Sequence, residues 1–244
     1  MRQLSNKIAK NSNHYGKFLV QMNDTGVSKT LRQGCIYQPH ILSYLEENIK
    51  EGMTVVDIGA HIGCFTIPMA HMVGDTGKVY AFESNRINFQ YLVANIAING
   101  LMNVYPHHVG IFNKDGFLNS HRHNKPINYF KGQNTGGYGL TDKDVTKSAE
   151  TTIVHTLDCY HISPNLIKID VEDNLIQCLQ GCIETLQRSR PIIIIEIDSD
   201  IPSQIDFLKL SVIQFLENIN YTLIRLHNED YIGIPPTYDK VVKG

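Results

Sequence analysis

The chain has 244 residues, 42% of them hydrophobic and 19% charged, with a formal net charge of −2. That length buries a sizeable core without disulfide or metal staples. The near-neutral charge, with no block of Lys or Arg, gives no overall pull toward nucleic acid or an anionic membrane.

The five cysteines are an odd number with no C-x-x-C pair, a usage that fits a reducing compartment. Cys178 and Cys182 fall inside an apolar helical pattern, where free cysteines are ordinarily core residues. Met1 to Val20 lacks the apolar stretch of a signal peptide, and no apolar run approaches the ~20 residues of a membrane span. A soluble, cytoplasmic protein is expected.

Residues 1–50 read as a polar, irregular N-terminal extension with one helix near Ile41–Ile49. Residues 51–244 then read as one α/β domain. Thr54 to Ile58 is a short β-branched strand, broken by Gly59-Ala60-His61-Ile62-Gly63. The helix that follows carries Phe65, Met69 and Met72, with Pro68 in its first turns, where a missing N–H costs least. Lys78 to Phe82 is the second strand and ends at Glu83. Phe89, Leu92, Val93 and Ile96 form the stripe of the next helix, and Val104 to Val109 makes a third strand.

Residues 112–152 are rich in Asn, Gly, Lys and His. They read as a hairpin and a mobile loop; the stretch Asn134–Gly139 is expected to close over the substrate, since long insertions in compact domains often serve as lids, the other reading being a merely flexible Gly-rich loop. The βα rhythm resumes with Leu166 to Val171. One helix carries Leu175, Cys178, Leu179, Cys182, Ile183 and Leu186, a strand follows over Pro191–Ile197, and a further helix runs from Ile205 to Ile219. Tyr221–Leu226 and Tyr231–Ile234 read as a terminal antiparallel pair. This alternation predicts a doubly wound, mostly parallel sheet with helices on both faces, binding its ligand at the carboxyl ends of the strands.

Asp57-Ile58-Gly59-Ala60-His61-Ile62-Gly63 has the form D-x-G-x-x-x-G between a strand and a helix. Gly59 allows a sharp turn and Gly63 a close helix start. The glycines are four apart and position 61 is His, so this is not the G-x-G-x-x-G cradle of a pyrophosphate. Glu83 ends the second strand, 20 residues after Gly63, where a carboxylate accepts both hydroxyls of a ribose. S-adenosylmethionine has a ribose, an adenine and a sulfonium but no phosphate, and it is the ligand these residues suit. The predicted cofactor residues are Asp57, Gly59, Ala60, His61, Gly63, Glu83 and Ser84. A nicotinamide cofactor on the same fold, or a non-catalytic binding protein, is the alternative.

The sequence resembles the FkbM-type S-adenosylmethionine-dependent methyltransferases from about Gly52 to Ile197. Val55 to Gly63 is similar to the family's first motif, with His61 where Asn is usual. Val79 to Glu83 is similar to its second, with Ser84 in place of the usual Pro. Leu157-Asp158 followed by Leu166 to Glu172 resembles its L-D…I-K-I-D-V-E-G signature, the most specific of the three. Leu179 to Gly181 and Pro191 to Glu196 continue the match. Asp173 replaces the family's Gly after Glu172, and Leu175 its usual acidic residue.

The resemblance implies a Rossmann-like class I methyltransferase with a seven-stranded sheet. It also implies O-methylation of a hydroxyl on a sugar or other small-molecule acceptor. A nucleic-acid acceptor is not expected, since neither a basic stripe nor an aromatic platform is evident.

For catalysis, Lys168, Asp170 and Glu172 alternate along a strand and so share one side. Asp170 is expected to orient or deprotonate the acceptor, with Glu172 holding nearby polar groups; the other reading is that both stabilise the next helix N-terminus. A buried Lys168 needs a partner, and Glu196 on the neighbouring strand is the candidate. His155 and His161 are weaker candidates for the base. The eleven histidines include His107, His108, His121 and His123, but no recognisable zinc spacing completes a site, so no metal is expected.

Overall fold

The computed structural model describes residues 5–10, 15–121, 129–130, 132–143, 150–197 and 205–236. The elements run β1 (Asn6–Lys10), β2 (Lys17–Gln21), α1 (Val27–Arg32), α2 (Pro39–Asn48), β3 (Thr54–Ile58), α3 (Thr66–Val73), β4 (Lys78–Phe82), α4 (Arg86–Ile98) and β5 (Val104–His107). Then come β6 (Gly110–Ile111), β7 (Gly116–His121), β8 (Gly139–Thr141), β9 (Glu150–His155), β10 (Leu166–Ile169), α5 (Leu175–Gln180), α6 (Ile183–Ser189), β11 (Ile192–Glu196), α7 (Ile205–Asn218), β12 (Thr222–His227) and β13 (Asp230–Ile234).

The central sheet has seven strands in the order β12-β13-β11-β10-β3-β4-β5. The neighbours from β11 through β5 pair in parallel, while β13 runs antiparallel to both β11 and β12. The expected doubly wound sheet and terminal antiparallel pair are both present. After β3 the chain builds outward through β4 and β5, then returns to lay β10 on the other side of β3. The β3/β10 boundary is therefore the switch point at which such sheets open a ligand crevice.

Strand alternation divides the core into two layers. Val55, Val79, Leu166, Ile192 and Ile194 face one side with α2, α3 and α4; Val56, Ile58, Ile167, Ile169, Ile193 and Ile195 face the other with α5, α6 and α7. The N-terminal residues join the first layer, where Phe18, Val20, Leu31 and Leu45 are fully buried.

Two features of the N-terminal and insert regions depart from the sequence reading. The first 50 residues hold more order than the single helix expected: β1 and β2 form an antiparallel hairpin. Its β2 edge is satisfied by side chains of α4. Asn95 accepts from the Leu19 N–H at 2.6 Å and donates back to its carbonyl, and Asn99 does the same for Lys17 at 2.9 and 2.8 Å. No local pattern in β1 or β2 announces a partner more than 70 residues away. The insert holds more than a hairpin, because β6, β9, β7 and β8 make a small four-stranded sheet.

Two helix expectations are also corrected. The stripe predicted for α4 is rotated. Ile87, Tyr91, Leu92 and Ile96 are buried, whereas Val93 is 39% exposed, because Asn88 and Asn95 occupy the inner face as hydrogen-bonding residues. The long helix predicted after β10 is two short ones. It breaks at Gly181, where an added Cβ would stand 2.0 Å from the Phe112 carbonyl oxygen. The core positions were nonetheless read correctly, since Leu175, Cys178, Leu179, Cys182 and Leu186 are all fully buried and both cysteines are free.

Gly181→Ala forces that backbone contact apart. It is expected to cost about 1–3 kcal/mol, lowering the thermal midpoint by roughly 3–10 °C. Thermal unfolding followed by circular dichroism measures this, and an unchanged midpoint would show that the Phe112 segment yields freely.

Candidate functional site

A cleft opens at the carboxyl ends of β3, β4 and β10. Its floor is the turn from Ile58 to Cys64. Gly59 has φ +81°, and a Cβ there would meet the Asp170 carbonyl oxygen at 1.9 Å, so only glycine fits. Gly63 is also left-handed, at φ +91°, and a Cβ on it would press Leu92 at 3.0 Å. The N–H groups of Gly59 and Ala60 both donate to the Phe82 carbonyl at 2.9 and 3.0 Å, which ties the turn to the end of β4.

Glu83 completes that tie. Its carboxylate accepts from the backbone N–H of His61 at 2.7 Å and of Asn85 at 2.6 Å, and it is buried. Burial pushes its pKa up to about 7, against the lowering pull of the two N–H groups. A carboxylate has about four lone-pair sites, so two remain for a ligand. Asp57 lies wholly inside, accepting from Thr66 Oγ1 at 2.6 Å, while its other oxygen has no hydrogen-bond partner. Burial raises its pKa too, partly offset by Lys168 and Thr66.

His61 adopts φ +52° and is only 7% exposed. Its Nε2 lies 3.0 Å from Thr135 Oγ1, and its Nδ1 is buried with no hydrogen-bond partner. Burial lowers its pKa, so the ring is neutral. Thr135 belongs to the loop that the sequence marked as a lid. The loop is held down against the glycine turn: the Thr135 N–H donates to Asp24 at 2.9 Å, and its carbonyl accepts from Asn88 at 2.7 Å. Asn134, Gly136, Tyr138 and Leu140 then line the cleft beside Ser84.

The opposite end of the cleft is acidic, with Asp170, Glu172 and Glu196 lining it together. Lys168 is 3% exposed and donates to Asp170 Oδ2 at 3.0 Å, with Asp57 its partner on β3 and the Phe65 ring 4.8 Å away. Burial alone would depress the lysine pKa, but Asp170 and Asp57 outweigh it and hold the ammonium charged. The expected partner Glu196 is thus replaced by Asp170, two residues along the same strand. Glu196 instead hydrogen-bonds Asp170, and burial together with the Asp170 charge lifts its pKa to about 8. That Glu196 belongs to the cleft was missed, although its place at the end of β11 was the available signal.

Several other expectations are settled by position. Asn174 stands at the N-cap of α5, and its side chain is paired with the backbone of Leu140 at 2.7 and 3.1 Å. Leu175, where a polar contact would be usual, is buried in the second core layer. His155 pairs with Asp115 at 3.0 Å on the surface, and His161 is an exposed turn residue, so neither lines the cleft. His107 and His108 stack on Phe82 and Phe89. His121 is buried, whereas His123 lies outside the described residues.

The residues fit S-adenosylmethionine better than a dinucleotide. A Cβ at Gly59 would strike the Asp170 backbone, so the turn lining the cleft carries no side chain there, and the Nδ1 of the neighbouring His61 lies buried and unpartnered. A pyrophosphate is held by free backbone N–H groups at such a turn, yet here those of Gly59 and Ala60 donate to the Phe82 carbonyl and that of His61 to Glu83.

The sheet order and the crevice at its switch point define a class I, S-adenosylmethionine-type methyltransferase fold. Residues 57–223 match the family model described as the methyltransferase FkbM domain. The chain therefore belongs to the FkbM family of S-adenosylmethionine-dependent methyltransferases, and the cofactor expected from the glycine turn is the family's.

Among solved structures, the methyltransferase FkbM from Methylobacillus flagellatus KT superposes with a TM-score of 0.51 at 16% identity, covering 79% of this chain and 50% of that one. A protein described as an rRNA methylase from Clostridium thermocellum gives 0.52 at 14% identity, covering 80% and 92%. These likenesses concern the fold. A tRNA(Phe) (4-demethylwyosine(37)-C(7)) aminocarboxypropyltransferase from Methanocaldococcus jannaschii is 46% identical over 57 residues, 23% of this chain and 22% of that enzyme. The chain thus spans half of the first relative and under a quarter of the last. No helix among the described residues is long and apolar enough to cross a membrane.

Glu83 gives the ligand-free protein a pH dependence. A carboxyl group with a raised folded-state pKa contributes stability that is fully present below its unfolded value, here 4.5, and lost as pH rises through about 7. Urea unfolding between pH 4.5 and 8 should show a falling contribution of up to about 3 kcal/mol. Glu83→Gln should flatten that slope while lowering stability overall, because an amide leaves one of the two N–H donors without an acceptor.

Proposed function

We propose that this chain transfers a methyl group from S-adenosylmethionine to a hydroxyl of a sugar or other small-molecule acceptor. The observation that carries the reading is the asymmetry of the cleft. A glycine turn with Glu83 forms one end, and the carboxylates Asp170, Glu172 and Glu196 gather at the other.

In this reading Glu83 accepts the ribose hydroxyls on its remaining lone pairs, and the backbone of Gly59 and Ala60 lets the ligand approach. Gly63 keeps α3 close, His61 and Ser84 offer polar atoms to the rest of the cofactor, and Asp57 supports the turn from beneath. When bound, S-adenosylmethionine supplies an electrophilic methyl on a sulfonium.

Asp170 orients the acceptor hydroxyl and receives its proton, since the Lys168 ammonium holds the carboxylate in one rotamer. Glu196, protonated at neutral pH and hydrogen-bonded to Asp170, supplies an acidic proton beside it, and Glu172 accepts from further hydroxyls. Alignment of acceptor and donor accounts for most of the rate enhancement in such displacements. Val27 and Tyr37 from the N-terminal extension, with Asn134 to Leu140 from the insert, wall the acceptor end. These two segments therefore select the substrate beside the central sheet.

The M. jannaschii relative is named for action on a tRNA, so a nucleic-acid acceptor is the second reading. Three carboxylates at the acceptor end oppose it, because phosphate recognition depends on positive charge.

Calorimetric titration with S-adenosylmethionine, S-adenosylhomocysteine and NAD tests the cofactor. Micromolar binding of the first two, reduced at least tenfold in Glu83→Ala, is the expected result. Transfer of radiolabelled methyl to a panel of sugars, hydroxylated small molecules and bulk tRNA tests the acceptor. Asp170→Asn should lower turnover by two or more orders of magnitude and spare cofactor affinity. Unchanged turnover in that variant removes Asp170 from the chemistry, and labelling of tRNA alone overturns the small-molecule assignment.

A further inference from the structure

A second cluster of polar side chains lies away from the cofactor end of the cleft. His40 is the second residue of α2, His227 the last of β12, and Asp230 the first of β13. Their ligand atoms all lie within 4.8 Å of one another. His40 Nε2 stands 2.5 Å from Asp230 Oδ2, and the two imidazoles stack with centroids 4.3 Å apart at 29°. Asp230 is buried, His40 half-buried and His227 exposed.

We propose that His40, His227 and Asp230 form a binding site for a divalent transition-metal ion, zinc in preference to magnesium or calcium. Two imidazoles with one carboxylate are a nitrogen-rich donor set. Such a set suits zinc, cobalt or iron and not the hard cations, which take oxygen. A buried carboxylate anchors one side, and the exposed side at His227 leaves a fourth position to water. Donors around a tetrahedral zinc at ~2.0–2.2 Å stand ~3.3–3.5 Å apart. The present separations, from 2.5 Å to at most 4.8 Å, span that value, so the three side chains are close enough to share one ion.

An ordinary ion pair accounts for only part of this arrangement. His40 and Asp230 suffice for a hydrogen-bonded pair, which leaves the stacked His227 ring outside it. Metal binding uses all three side chains with both rings neutral. Sequence spacing conceals the site, because His40 and Asp230 are 190 residues apart and meet only when α2 packs beside the β12–β13 turn.

The position ties the ion to the acceptor end. Asp230 is paired in register with Glu196, and Tyr37, which lines the cleft, sits just ahead of α2. A bound ion would fasten α2 to the sheet margin and so hold that wall in place. The other three-donor group among the described residues, Asp115, His155 and Cys159, lies on the surface with no buried anchor.

The site is independent of the methyltransferase reading and is tested without an acceptor. The full chain is stripped with chelator and titrated with zinc by calorimetry, and with cobalt by visible absorption. One equivalent is expected to bind, with the intense absorption of four-coordinate cobalt. His227→Ala removes an exposed side chain, so its folding is not at risk, and it should weaken binding at least tenfold. Asp230→Asn should weaken it further, with circular dichroism checking the fold. Absence of stoichiometric binding overturns the proposal, as does binding that survives His227→Ala or is lost in His155→Ala instead. Affinity for S-adenosylmethionine, measured on the stripped protein, reports separately on the cofactor site.

Discussion

A single buried ammonium organises the centre of this protein. Lys168 lies within β10, 3% exposed, on the strand that meets β3 at the switch point. A charge that deep requires compensation, and removing one partner of such a pair typically costs about 3–5 kcal/mol. Asp170 and Asp57 provide it from two adjacent strands, and each carboxylate is thereby assigned a place. Asp170 is held at the mouth of the cleft and Asp57 beneath the glycine turn. The Gly59 turn then packs on the backbone of Asp170 itself, so the glycine floor of the cleft and its acidic side share one contact.

From this centre the fixed parts reach outward in order. Glu83 pins the turn to β4 through two backbone N–H groups. His61 and Asn88 carry the connection to Thr135, and Asp24 closes it from the N-terminal segment. Three stretches of chain with little in common locally thus converge on one turn. The loop over 134–139 is better described as a wall held by three polar contacts of Thr135 than as a free lid. Its buried Thr135 would lose all of them on opening, so opening would have to proceed with the Asp24 and Asn88 contacts broken together.

The acidic side of the cleft behaves as a coupled group and not as separate residues. Asp170 and Glu196 share a hydrogen bond, and burial with mutual repulsion lifts Glu196 to about 8. Glu196 therefore keeps its proton near neutral pH, beside the Asp170 carboxyl group to which it is hydrogen-bonded.

The sequence by itself determined the sheet, the glycine turn, Glu83 and the strand carrying Asp170. Each is a local signal: β-branched runs, a left-handed glycine, or an acidic residue where a strand stops. It did not reveal the β1–β2 hairpin, the partner of Lys168, the place of Glu196 or the Asp24–Thr135 contact. Tertiary structure decided those, because a buried polar group is satisfied by whatever packing brings near it. Asp24 lies 111 residues from Thr135, and Asn95 lies 76 from Leu19. Lys168 is the clearest case: its charge predicted that a partner must exist, but only the end of β10, where the strand gives way to the cleft, determined that the partner is Asp170.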